Sequence, residues 1–245
     1  MQNRYIDTYT IGSYQVDFKR ELSPISLFMF LQETAWRHVN SYQLGWKQMQ
    51  SKNQFWVLSK MEVKILRPIN WEEHIQVETW GKKPELLTAY RDFLLYDENQ
   101  NVIVKATSSW HILDVDNRRP MKMNEFAHQF PIDIENHALP TKPRSLVMPN
   151  DDANILLGQP RKVYPSDIDV NNHVNNTQYI RWALDELDWD FQMKHRLQNI
   201  VINFCAEAKI NDVIYVKTFC KEHIIVQEII RQNDDKILAI IETYW

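Results

Sequence analysis

From Asp167 to Asn176 the chain reads Asp-Ile-Asp-Val-Asn-Asn-His-Val-Asn-Asn, placing carboxylates, carboxamides and an imidazole just ahead of an apolar periodic run. In an extended backbone side chains alternate between faces, so Asp169, Asn171 and His173 are expected to project together. The run that follows has Tyr179, Ile180, Ala183, Leu184 and Leu187 at helical spacing. The first turn of such a helix offers backbone N–H groups that favour negative charge. An acid, an amide donor, a titratable ring and a helix start in one place suit proton transfer and the holding of an oxyanion. Asp167 shares the parity of this set but reads equally as a turn cap. Asn175 and Asn176 read as helix caps, and Asn172, pointing the other way, as structural. Glu207 lies near the end of an alternating stretch, with Ile200, Ile202, Phe204, Ala206 and Ala208 on one face and Glu207 on the other. On spacing alone Glu207 is an exposed strand-end glutamate.

These groups must be held by something, and the chain supplies the elements. Ser23-Pro24 is a helix start, with Ser as N-cap and Pro at the first position. Leu27, Phe28, Leu31, Ala35 and Val39 continue at three- and four-residue spacing, predicting about four helical turns with one buried face. His38, near the end of that helix, is expected to be structural and favoured by the helix dipole. Tyr5 to Phe18 alternates loosely, as a half-buried strand does. Four strand-like runs follow: Phe55 to Leu66, His74 to Trp80, Leu86 to Tyr96 and Val102 to Leu113. One helix and a long antiparallel meander make an α+β layout.

Pro120, Pro131, Pro140, Pro143, Pro149 and Pro160 then interrupt any regular element and mark a boundary. We therefore expect three segments: 1–130, a proline-rich linker 131–160, and 161–245. The second half repeats the order of the first, and Lys236 to Trp245 aligns without gaps to Asn101 to Trp110. Two similar α+β units, like a dimer fused into one chain, are the expected result.

Composition bounds the function. A net charge of -4 argues against nucleic acid as the main partner. Only four glycines are present, and neither a dinucleotide-binding fingerprint, a P-loop, a nucleophile elbow nor a zinc-protease motif occurs. The two cysteines, Cys205 and Cys220, lack metal-ligand spacing and read as buried small hydrophobes in a reducing compartment. With no signal-peptide pattern at the amino terminus, and no apolar run approaching the roughly 20 residues of a membrane span, the expected location is the cytoplasm.

The pattern Asp-x-Asp-x-Asn-x-His-Val-Asn-Asn-x-x-Tyr-Ile-x-Trp, from Asp167 to Trp182, resembles the signature of the acyl-acyl-carrier-protein thioesterases of plants and bacteria. Leu31 to Ala35, Phe55 to Met61 and Ala106 to Trp110 are similar to that family as well, so the likeness runs from about Tyr5 to Trp245. The resemblance implies a tandem hotdog, each unit a long helix wrapped by an antiparallel sheet. It implies that the N-terminal unit shapes an acyl pocket, for which Leu27, Phe30 and Leu31 are candidates, and that the C-terminal unit carries the chemistry. Asp169, Asn171 and His173 fall on the family's catalytic positions, and Glu207 on its catalytic glutamate. The family's following cysteine is Ala208 here, which cannot act as a nucleophile, so direct hydrolysis by an activated water is implied. No metal and no cofactor are implied, because a thioester is already activated. The implied partner is an acidic acyl carrier protein bearing a fatty acyl chain, with Arg118, Arg119 and Lys122 as docking candidates. The assembly is either a monomer of two fused hotdogs or a homodimer. An acyl-coenzyme A thioesterase, a hotdog dehydratase and a non-catalytic acyl-binding module are the competing expectations.

Overall fold

The computed structural model describes residues 3–123, 126, 130–149 and 155–245. The chain divides into two compact units, residues 1–144 and 145–245.

In the first unit α1 spans Pro24–Ser41, and its start is the one the sequence predicts: the Ser23 side chain accepts the Ser26 N–H, with Pro24 in the first turn. A short α2, Trp46–Ser51, follows and is absent from the sequence reading. Five antiparallel strands make the sheet: β1 (Arg4–Thr10), β2 (Gln54–Ile65), β3 (His74–Lys82), β4 (Ala89–Tyr96) and β5 (Val102–Asp114). Their order is β1-β3-β4-β5-β2. The first strand stops at Thr10 rather than Phe18, where a single 3-10 turn at Ser13–Gln15 takes over. Leu27, Phe28, Leu31 and Ala35 of α1 are buried, as are Val77, Phe93 and Leu95 of the strands. Phe30 stacks on Tyr9 of β1 at 4.2 Å between ring centroids, and the Tyr9 hydroxyl meets that of Thr34.

His38 is structural, as expected, but not through the helix dipole. It is buried, and Arg91 of β4 meets its Nδ1 at 3.0 Å. Arg91 has only donors, so that nitrogen is the acceptor and the ring is neutral. Burial, then the Arg91 charge, pushes its pKa down to about 3. A dipole-stabilised imidazolium is therefore not what keeps it there; its packing against Tyr5, Tyr42 and Phe130 is.

The proline-rich stretch carries no helix among its described residues and one strand of three residues, β6 (Ile155–Leu157). Residues 131–144 lie along the first unit. Asp133 accepts from Arg4 at 2.9 Å, Trp80 Nε1 donates to the Asn136 carbonyl at 3.1 Å, and the Ala138 N–H donates to Asp92 at 2.8 Å.

The second unit contains β6, β7 (Arg161–Lys162), α3 (Asn176–Asp185), α4 (Trp189–Lys194), β8 (Asn199–Phe204), β9 (Val213–Lys221), β10 (Ile224–Arg231) and β11 (Lys236–Tyr244). The strand order β6-β9-β10-β11-β8 repeats that of the first unit element for element, with β7 also on β9. The internal repeat read from the sequence is thus a repeat of topology. Each unit has the hotdog arrangement of one principal helix against an antiparallel sheet. In the second, Gln227 of β10 donates to the Ala183 carbonyl of α3 at 2.8 Å, tying helix to sheet through a buried amide.

Candidate active site

The residues singled out from 167 to 176 do not form an extended run. The peptides of Ile168 and Val174 bridge each other, and the chain between them makes a tight turn. Asn172 takes φ of 61°, a left-handed conformation that asparagine tolerates better than most residues. The Asp169 carboxylate organises the turn: Oδ1 accepts the Asn171 N–H at 2.8 Å and the His173 N–H at 3.4 Å. The Asp169 N–H in turn donates to the His173 carbonyl at 2.8 Å. Asp169, Asn171 and His173 are therefore brought together by turn chemistry rather than by strand alternation.

The flanking residues behave as caps. Asp167 accepts the Tyr164 N–H at 2.8 Å and closes a 3-10 turn at Pro165–Asp167. Asn175 is the N-cap of α3: its side-chain oxygen accepts both the N–H and the hydroxyl of Thr177, at 2.9 and 2.8 Å. Asn176 is the first residue of the helix proper. The Asn175 N–H is taken by the Asp167 carbonyl. The N–H groups of Asn175 and Thr177, at the helix start expected to favour negative charge, are thus engaged within the turn.

Glu207 also reaches its place by a route that alternation does not describe. The strand β8 ends at Phe204, and the N–H groups of Cys205 and Ala206 both donate to the Leu238 carbonyl, at 2.8 and 3.1 Å. Two consecutive residues facing one acceptor make a bulge, and the inward–outward pattern is lost from there. Beyond it Ala208 is fully buried, with its N–H on the Tyr179 hydroxyl at 2.9 Å and its carbonyl accepting the Val174 N–H at 3.3 Å. Arg231 donates to the Glu207 carbonyl at 3.4 Å and pairs with Asp212 and Asp234. The bulge and these contacts turn Glu207 toward the 169–173 turn, where its Oε2 lies 3.3 Å from His173 Nε2. Both side chains keep partial solvent access, 39% for Glu207 and 22% for His173.

A carboxylate on an imidazole, beside an exposed carboxamide at Asn171, can take a proton from a water and supply an N–H to a developing oxyanion. Among the described residues no group of His, Cys, Asp and Glu could hold a metal ion. Cys205 and Cys220 are exposed, contrary to the buried positions expected for them, because one lies in the bulge and the other faces outward on β9. Leu27, Phe30 and Leu31 of the first unit are at most 6% exposed, packed into its core. Tyr179, Asp212 and Arg231 hold the Glu207 segment, a role that the sequence pattern does not assign to them. Tyr179 had a signal there, as the polar member of an otherwise apolar helix face.

A family model described as the acyl-ACP thioesterase N-terminal domain matches residues 2–129, and one described as the C-terminal domain matches residues 156–245. The oleoyl-acyl carrier protein thioesterase 1, chloroplastic, of Arabidopsis thaliana is 25% identical over 232 residues, covering 86% of this chain and 62% of that protein. The palmitoyl-acyl carrier protein thioesterase, chloroplastic, of Gossypium hirsutum is 28% identical over 228 residues, covering 86% and 53%. The chain spans about three fifths of the length of the first such relatives. An acyl-ACP thioesterase from Bacteroides thetaiotaomicron shares the fold with a TM-score of 0.85 at 22% identity, over 99% of this chain and 97% of that one. The 12:0-ACP thioesterase from Umbellularia californica does so with a TM-score of 0.85 at 21% identity, over 100% and 98%.

Proposed function

Because this chain belongs to the acyl-ACP thioesterase family, we propose that it hydrolyses the thioester between a fatty acyl chain and acyl carrier protein, releasing the free acid and ending chain elongation. The observation that carries this reading is the 3.3 Å contact between His173 and Glu207, formed by the segment that matches the family. Glu207, with His173, deprotonates a water that adds to the thioester carbon, a contribution of about 10²–10⁴-fold. The Asn171 carboxamide holds the oxyanion, and collapse expels the carrier-protein thiolate, which takes up a proton. Asp169 acts through the turn, orienting Asn171 and His173 by accepting their N–H groups. Ala208 leaves no thiol at the position after Glu207, in keeping with a water rather than an enzyme nucleophile. Acyl-chain binding falls to the N-terminal unit, along Leu27, Phe30 and Leu31, and requires those packed side chains to part.

The carrier protein, rather than coenzyme A, is supported by the names of the relatives, which act on acyl carrier protein thioesters. Arg118 and Arg119, exposed on the turn after β5, offer positive charge to an acidic carrier. We place the reaction in the cytoplasm, whereas the plant relatives are chloroplastic by name. The test is thiol release from purified protein given matched acyl-carrier-protein and acyl-coenzyme A thioesters. A higher kcat/KM on the carrier protein is expected; a clear preference for coenzyme A overturns the choice of thiol. Ligand uptake without thiol release overturns hydrolysis altogether.

A further inference from the structure

Sequence alternation cannot aim Glu207, because the strand alternation ends at the bulge after Phe204. What fixes its direction is the next peptide. Ala208 is fully buried, its N–H held by the Tyr179 hydroxyl and its carbonyl by the Val174 N–H. Val174 is the residue after His173, so one side of this clamp moves with the imidazole itself. Tyr179 is on α3, which Asn175 caps and Gln227 ties to the sheet. Its ring packs edge-on against Trp182 and Phe204, at 5.3 and 5.7 Å between centroids, so the hydroxyl has little freedom. A buried backbone N–H needs an acceptor, and among the described residues this hydroxyl is the one that Ala208 has.

The geometry points to Tyr179 as a positioning residue: its hydroxyl holds the Ala208 peptide and thereby sets the Glu207 carboxylate against His173. This assignment rests on the hydrolytic reading of that pair. Tyr179 does not touch the reacting atoms; it acts through Glu207 alone. Burial pushes its phenol well above the usual range, so the group stays a neutral hydroxyl whatever the pH of the assay.

Tyr179→Phe deletes one oxygen and keeps the ring. We expect kcat to fall roughly ten- to hundredfold, the scale of an ångström of misplacement, with KM unchanged. The distinguishing readout is a double-mutant cycle with Glu207→Ala. If Tyr179 works through Glu207, adding Tyr179→Phe to Glu207→Ala changes the residual kcat by less than about twofold. An equal loss in both backgrounds shows a diffuse structural effect and overturns the assignment, as does normal turnover of Tyr179→Phe. Hydrogen exchange at the Ala208 amide needs neither substrate nor a folded variant: slow exchange in the unsubstituted protein is expected, and exchange as fast as an open turn removes the clamp. Should the unsubstituted protein release no thiol from any acyl thioester, the hydrolytic reading fails by itself. In that case the Ala208 exchange rate still decides whether the clamp exists.

Discussion

Glu207→Gln separates chemistry from architecture at the site. The substitution keeps the side-chain volume and still allows a contact with His173 Nε2, now 3.3 Å from the carboxylate. It removes only the ability to accept a proton. The structural cost is small: the pair keeps 39% and 22% side-chain exposure, and partly exposed ion pairs contribute about 0–1 kcal/mol. The kinetic cost is large if Glu207 is the base, about 10²–10⁴-fold in kcat, or roughly 3–5 kcal/mol of barrier. The two magnitudes differ severalfold, so one assay pair decides. Thiol release at saturating acyl thioester measures kcat, and denaturant unfolding of the same preparation measures stability. Turnover within threefold of the unsubstituted protein removes Glu207 from the mechanism. A stability loss as large as the barrier change would make it a structural residue.

Four further outcomes follow from other contacts. Ala208→Cys restores the family's thiol, but at a fully buried position whose backbone does the holding, so kcat is expected to stay within about twofold of its starting value, far below general-base effects; a tenfold rise would revive a thiol route. Asn175→Ala removes the acceptor for both the N–H and hydroxyl of Thr177 and should cost about 1 kcal/mol in thermal or denaturant unfolding. His38 is neutral in the fold, with its pKa pushed down to about 3 by burial and then by Arg91. Its contribution is therefore complete above about pH 6.5, the unfolded value, and is lost as pH falls from there toward the folded value; denaturant midpoints at pH 7 and pH 5 should differ less in His38→Gln than in the unsubstituted protein. Reversing Arg118 and Arg119 to Glu should raise KM for the carrier-protein thioester at low salt and leave coenzyme A thioesters unaffected, a difference that added salt removes; unchanged KM excludes this turn from docking.

The helix α1 is legible from sequence because two local rules agree there: Ser23-Pro24 starts it and an apolar face at three- and four-residue spacing sustains it. The turn at 97–101 is legible for the same reason, since Asp97 accepts the N–H groups of Asn99 and Asn101. The candidate site is legible in composition but not in path. Alternation assigned a shared face to residues that Asn172, in a left-handed conformation, and the Asp169 carboxylate gather instead. It also carried the strand through to Ala208, where a bulge that no residue type announces at Cys205 and Ala206 ends it. Resemblance draws attention to Glu207, which spacing alone reads as an exposed strand-end glutamate; its approach to His173 at 3.3 Å is a contact that alternation does not describe. The helices α2 and α4 are six residues each, too short for periodicity to separate from loop.

The stretch from 131 to 144 has a bearing on any attempt to dissect the molecule. Asp92 is fully buried beside Lys82 at 3.2 Å, burial pushing its carboxyl up, and the Ala138 N–H donates to it at 2.8 Å. Trp80 sends its indole N–H to Asn136, and Arg4 its guanidinium to Asp133. An N-terminal fragment cut at residue 130 would strip a partner from each of two buried groups, Asp92 and Trp80, at about 1–3 kcal/mol apiece, and would leave Arg4 with Glu78 alone. A fragment carried through to residue 144 retains them all, so the prolines that look like a severable tether are better regarded as the last course of masonry in that unit.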